Sequence, residues 1–238
     1  MMLIPAIRAW WKEQRQRQSL AQTARRLLWT LWEFARESTP EQRRRRYGDM
    51  DFDWERRVDT TGATVGWRSR LLGMFHSSYQ PTEPAAFHEM MSRLPINFAE
   101  FTFVDLGSGK ARVLLMAADY PFRRVLGVEL LPELHRVAQE NIARYHSELR
   151  RCAQIESVCA DGRDFVFPPE PTVLFLFNPL PEPGFAQVIV NVENSLRQCP
   201  RPFYMLYHNP VWEHLVARSP ALRKIGGTQQ YAIYERAR

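Results

Sequence analysis

From residue 82 onward, short runs of β-branched and aromatic residues alternate with longer stretches of helical character, and no other feature of the sequence narrows the fold as much. The runs at 101–106, 124–128, 155–159, 172–177 and 203–207 read as strands. Before and between them, residues 84–94, 110–119, 132–150, 184–198 and 211–217 read as helices, with Pro132 suited to a first helical turn. Strands separated by helices imply a parallel sheet, because parallel neighbours need a crossover long enough to hold a helix. Residues 222–225 and 230–234, placed about Gly226-Gly227, read as a terminal hairpin that adds antiparallel pairing. About seven strands are expected in all.

The first fifth of the chain has a different character. Residues 3–38 contain no Gly and a single Pro, Pro5, and are rich in Leu, Trp, Ala, Arg and Gln, which suits one or two helices. Leu20, Ala24, Leu27, Leu28, Leu31 and Phe34 recur at three- and four-residue spacing, so one face of the second helix is apolar and is expected to pack, with Trp29 and Trp32 as packing residues. Ser38-Thr39-Pro40 and the arginine run at 43–46 end this part. Residues 47–80 scatter Gly and aromatic residues without a period and read as a loop-rich connector. Three parts follow: a basic helical extension (1–46), the connector (47–80) and the regular α/β domain (81–238).

Charge follows the same division. Residues 1–50 carry eleven Arg or Lys against five Asp or Glu, whereas residues 51–238 carry twenty-one of each, so the whole net charge of +6 lies in the extension. A balanced body argues against a broad nucleic-acid surface on the α/β domain. The basic arm, with Trp10 and Trp11 beside its charges, is a solvated face, a contact for an acidic or nucleic-acid partner or an attachment to a membrane surface. The apolar run at the N-terminus is broken at Arg8 and Lys12, too short for a secretory core or a membrane span. Cys152, Cys159 and Cys199 are odd in number and lack metal-ligand spacing; a reducing, cytoplasmic setting without a metal is expected.

The chemistry concentrates in FVDLGSGKARV, residues 103–113, where Gly107 and Gly109 stand at the turn from a strand into a helix. Missing side chains let a ligand approach the backbone there, and a helix N-terminus presents unpaired N–H groups. A dinucleotide fingerprint needs Gly-x-Gly-x-x-Gly or Ala; Arg112 occupies its last position, which disfavours a nicotinamide or flavin cofactor. Asp-x-Gly-x-Gly-x-Ala through Asp105, Gly107, Gly109 and Ala111 is the pattern present. Twenty-two residues after Gly107, the second strand ends at Glu129, whose carboxylate can accept both hydrogen bonds of a ribose diol.

With these motifs the sequence resembles the class I S-adenosylmethionine-dependent methyltransferases over residues 79–238, and in particular small bacterial members and protein-lysine methyltransferases. The resemblance implies a Rossmann-like sheet. It makes Asp105, Gly107 and Gly109 the first cofactor motif, with Ala111 standing where a third Gly is usual, and it gives Glu129 the ribose. Asp161, in the loop after the third strand, is implied to accept a hydrogen bond from the adenine amino group. Asn178 and Pro179, after the fourth strand, are implied to line the reaction centre. The segment Tyr79-Gln80-Pro81-Thr82-Glu83-Pro84 resembles one that closes over the methionine end of the cofactor, which adds Tyr79 to the site.

Ordinary alternatives stand beside these roles. Asp105 could anchor the glycine loop, Glu129 could be a solvated strand-end charge, and Asp161 and Asn178 could be turn residues. His208-Asn209 follows the fifth strand on the rim where a substrate would sit. The expected activity is methyl transfer to an N or O nucleophile, with protein lysine the leading acceptor. A small-molecule methyltransferase and a non-catalytic cofactor-binding scaffold that recruits an acidic partner through the arm are the alternatives.

Overall fold

A computed structural model describes residues 11–12, 19–37, 50–61, 81–178 and 180–237. The chain divides into two compact units, one of residues 1–51 with 61–81 and the other of residues 52–60 with 82–238.

In the first unit, α1 (Leu20–Glu37) begins at a reciprocal cap. Gln22 donates its backbone N–H to the Ser19 hydroxyl, and the Ser19 N–H reaches back to the Gln22 side chain, so two donors of the first turn are satisfied. Thr23 is buried and Leu27 half-buried, whereas Leu20, Ala24 and Leu28 are exposed. The expected packing of this apolar face therefore fails at those three positions, because the helix turns its Thr23 and Leu27 side inward instead. Trp29 and Trp32, expected to pack, are more than half exposed. The side chains of Leu31 and Phe34 lie outside the described residues.

The second unit holds α3 (Pro84–Ser92), β1 (Thr102–Leu106), α4 (Arg112–Ala117), β2 (Arg124–Glu129), α5 (Pro132–Arg144), β3 (Ile155–Cys159), β4 (Thr172–Phe177), α6 (Glu182–Gln198), β5 (Phe203–His208), α7 (Glu213–Ala217), β6 (Leu222–Gly227) and β7 (Tyr231–Arg236). The strands form one seven-stranded sheet in the order β3-β2-β1-β4-β5-β7-β6. The first five are parallel, and β7 pairs antiparallel with both β5 and β6. This is the Rossmann-like α/β fold expected from the sequence. β1 and β4 are apolar on both faces because both faces are covered. Phe103, Val125, Phe175 and Leu206 pack with α3, α4 and α5 in one layer, and Val104, Leu174, Leu176 and Met205 pack with α6 in the other.

Several elements have other bounds than their patterns suggest. α4 starts at Arg112 rather than at 110, because Ala111 adopts a left-handed conformation at its N-cap. α5 stops at Arg144, where Tyr145 turns out of the helix, buries its ring and donates its hydroxyl to Asp119 (2.7 Å). The terminal hairpin does not turn at Gly226-Gly227. Both glycines lie in β6, and the turn spans Thr228 to Gln230, with the Thr228 N–H bonded to the Tyr231 carbonyl. Gly227 has φ +142°, and a Cβ there would lie 2.5 Å from that carbonyl oxygen, so the closing strands themselves require the glycine.

The connector contains structure as well. Within it, α2 (Met50–Arg56) is a short helix, and residues 52–60 belong to the unit that carries the sheet. Phe52 is buried with the guanidinium of Arg112 4.4 Å over its ring. Backbone groups of this stretch are bonded by Asp53 and Asn141, which is why it is ordered without any sequence periodicity.

Candidate functional site

In the parallel part of the sheet the chain runs outward from β1 through β2 to β3, then returns to the other side of β1 for β4 and β5. Loops leaving β1 and β4 diverge to opposite faces, toward α4 and α6, and open a crevice at the strands' carboxyl ends. The glycine turn after β1, Glu129 at the end of β2 and Asn178 after β4 all stand on its rim.

The glycine turn is held from beneath. Gly107 (φ +86°), Gly109 (φ +54°) and Ala111 (φ +74°) are left-handed. The two glycines adopt this at little cost, whereas at Ala111 it costs about 1–2 kcal/mol. The N–H groups of Gly107 and Ser108 donate to the Val128 carbonyl, and that of Gly109 donates to the Glu129 carboxylate (2.8 Å). The other oxygen of Glu129 accepts the Leu131 N–H (2.8 Å). Glu129 thus ties the loop after β1 to the start of α5, and each carboxylate oxygen keeps acceptor capacity. Burial raises its pKa, and the backbone donors from Leu131, Gly109 and Leu130 oppose that shift.

Asp105 behaves differently from the anchor that the sequence allows. Its side chain is buried and has no hydrogen-bond partner among the described residues. Burial, with the Glu129 charge adding to it, pushes its carboxyl well above the usual carboxylate range. The Ser108 hydroxyl, in the loop that follows, is likewise buried without a partner among the described residues. Buried polar groups of this kind are uncommon in folded chains, and here two of them border one glycine turn.

A buried polar cluster backs the same loop from the other side. The Lys110 ammonium is 1% exposed and pairs with Asp59 (3.0 Å), and Arg112 lies 3.3 Å from the Thr60 hydroxyl. Burial lowers the Lys110 pKa despite the Asp59 partner. Asn141 of α5 joins the pieces. Its amide donates to the carbonyls of Asp59 and Lys110 and its oxygen accepts the Asp59 N–H, all within 2.9 Å. The sequence reading missed this cluster. The one signal available was a polar residue, Asn141, at the third position of the buried stripe Leu134, Ala138, Asn141.

Asp161 caps a single 3-10 turn (Gly162–Asp164) by accepting the Arg163 N–H (2.9 Å), and its two oxygens also receive the Arg163 guanidinium. At β4, Asn178 adopts φ +43° before a proline, a strained position that Asn tolerates better than most residues. Its side-chain oxygen accepts from the Tyr207 hydroxyl (2.9 Å), which in turn accepts the Trp212 N–H (3.1 Å). That relay turns the Asn178 NH2 away from Tyr207. Burial pushes the Tyr207 hydroxyl up to about 12, so it stays a donor at neutral pH. β5 ends in the same way, with Asn209 at φ +48° before Pro210. His208 precedes it, its ring 4.3 Å from Phe177, and burial lowers its pKa and keeps it neutral. Tyr79 and Pro179 lie outside the described residues.

No family model and no curated protein matches the chain. Solved structures do. An RNA methyltransferase from Salinibacter ruber, in complex with S-adenosyl-L-homocysteine, is 19% identical, with 66% of this chain and 92% of that one covered and a TM-score of 0.43. Precorrin-6y C5,15-methyltransferase from Geobacter metallireducens is 13% identical over 66% and 90% of the two chains, with a TM-score of 0.49. The ribosomal protein L11 methylase from Lactobacillus delbrueckii subsp. bulgaricus is 15% identical over 64% and 76%, with a TM-score of 0.43.

Proposed function

We propose that the chain is an S-adenosylmethionine-dependent methyltransferase acting on an N or O nucleophile. One observation carries the reading: two buried carboxyls, Asp105 and Glu129, meet at a left-handed glycine turn in the crevice where the strand order reverses, and one of them has no partner among the described residues. A cofactor bearing a ribose diol, an ammonium and a sulfonium suits that donor set. Glu129 receives the ribose hydroxyls on its remaining lone pairs, the turn at Gly107 and Gly109 lets the ligand approach the backbone, and Asp105 offers a carboxyl oxygen as acceptor to the ligand's ammonium end. Asp161 receives the adenine amino group by sharing acceptor sites that Arg163 now fills. Tyr79 closes the methionine end.

The sulfonium supplies a methyl group on a good, neutral leaving group, so the protein's task is alignment and exclusion of water. Asn178 and Pro179 line the acceptor side. The Tyr207 hydroxyl fixes the Asn178 side chain, whose oxygen keeps a second lone pair to accept an N–H of the incoming amine and leaves the amine's own lone pair for the methyl group. Protein lysine is the leading acceptor, from the likeness of residues 79–84 to a segment of protein-lysine methyltransferases.

Calorimetric titration with S-adenosylmethionine, S-adenosylhomocysteine and NAD tests the cofactor. Binding of the first two at one site per chain, with none of NAD, is expected; NAD binding without them overturns the reading. Methyl-labelled cofactor is then incubated with protein, RNA and small-molecule fractions of a lysate. Label in protein, stable to base as an amine adduct, supports lysine. Tight cofactor binding with no transfer to any fraction favours the non-catalytic scaffold.

A further inference from the structure

α1 presents to solvent an uninterrupted apolar ridge. Leu20, Ala24, Leu28 and Trp32 follow at four-residue intervals on one side of the helix, and all four are exposed. Leu20, Leu28 and Trp32 are 59%, 68% and 58% exposed, and Trp29, one turn-edge away, is 57% exposed. Arg25 borders the ridge on the Trp29 side, with Arg26 beyond it on the polar face, and both are exposed. Isolated exposed apolar residues need no explanation, but a continuous stripe edged by indoles and guanidinium groups does.

We propose that α1 lies on an anionic lipid surface, with its apolar ridge at the acyl boundary and its arginines against the headgroups. Three facts choose this occupant. First, the helix holds five charges against an apolar arc, and among the described residues no helix is long and apolar enough to cross a membrane, so it can lie on a bilayer and not span it. Second, Trp29 and Trp32 sit at the ridge and its edge, where an indole has its apolar body in the chain region and its N–H in the headgroups. Third, the net charge of +6 belongs wholly to residues 1–50. Each basic residue near an anionic leaflet adds to attraction at this end of the chain alone. The same charge opposes a second copy of the chain as the occupant, since two such arms repel.

The experiment uses the full chain with extruded vesicles of phosphatidylcholine, either pure or with roughly a third phosphatidylglycerol. Co-sedimentation and tryptophan emission are followed. Binding to the anionic vesicles with a blue shift is expected, weaker by on the order of tenfold or more on pure phosphatidylcholine and in about 0.5 M salt. Leu28→Glu is expected to lose on the order of tenfold in partition while the far-ultraviolet circular dichroism stays unchanged. Should that variant lose helix, Arg25→Gln with Arg26→Gln decides, and weakening on anionic vesicles alone supports the proposal. Absence of binding to anionic vesicles overturns it. So does equal binding by wild type and Leu28→Glu, or retention of both on a polyglutamate matrix with no vesicle binding, which would assign the arm to an acidic macromolecule.

Discussion

Asp105 and Glu129 are both acids buried at the end of a strand, yet the structure gives them different work. Glu129 is fastened to the backbone at Gly109 and Leu131, and Asp105 is fastened to nothing among the described residues. The folded-state pKa of Asp105 is raised, so the folded chain holds this proton more tightly than the unfolded chain. Its contribution to stability is therefore present below the unfolded pKa and is lost as pH rises through the folded one. Asp105→Asn removes that loss. The variant's melting temperature is expected to exceed wild type's at neutral and alkaline pH, with the gap closing toward pH 4, while S-adenosylmethionine binding weakens. A lower melting temperature at pH 8 would show that the carboxylate is ionised and satisfied in the fold.

Glu129→Ala should act on both sides of the ledger. Lost hydrogen bonds to the ribose weaken cofactor binding by about 1.5–3 kcal/mol, and the orphaned N–H groups of Gly109 and Leu131 destabilise the apo protein by about 1–3 kcal/mol. Calorimetry and denaturant titration separate the two effects. An unchanged dissociation constant would remove Glu129 from the site. Spacing from Gly107 located this residue in the sequence, but its grip on the loop could not be read there, because the bond to Gly109 joins positions twenty residues apart.

Among the elements, the strands were the most legible, because a buried parallel strand has to be apolar on both faces and so writes itself as a local run. β4 begins and ends at the expected residues, and so does the half-exposed edge strand β3, which is marked instead by its β-branched Ile155 and Val158. α2 and the stretch after it were illegible for the opposite reason. Their order comes from Asp59 on Lys110, fifty-one residues away, and from Asn141 on Asp59, eighty-two away, and neither partner marks the local sequence. The Lys110–Asp59 pair is also asymmetric: the ammonium is 1% exposed and the carboxylate side chain 43%. Removing the buried partner leaves Asp59 able to rehydrate, while removing Asp59 takes from a buried ammonium its hydrogen-bonded carboxylate. Asp59→Ala should therefore destabilise by on the order of 2–3 kcal/mol and Lys110→Met by less than half of that. Equal losses in denaturant titration would mean that Lys110 draws its support from elsewhere in the cluster.

For the molecule as a whole, the charge division predicts that arm and pocket are separable. Replacing the arginines at 43–46 with Gln should leave S-adenosylhomocysteine affinity unchanged while lowering the salt dependence of any arm-mediated binding. Loss of cofactor affinity in that variant would place the arginine run in the active site and undo the two-part architecture. Deletion of residues 1–46 is the harsher test, and retention of cofactor binding by the shortened chain is its expected result.

The order of the last two strands has a consequence for how the sheet is completed. β6 touches the rest of the sheet only through β7, which comes later in the chain and inserts between β5 and β6. In chain order, then, β6 precedes the strand that joins it to the sheet. Until Tyr231–Arg236 follows, the edge of β5 stays unpaired and open to any other extended segment. A chain cut back to residue 230 should be cleaved readily by protease along 203–227, whereas the chain that carries Tyr231–Arg236 should resist.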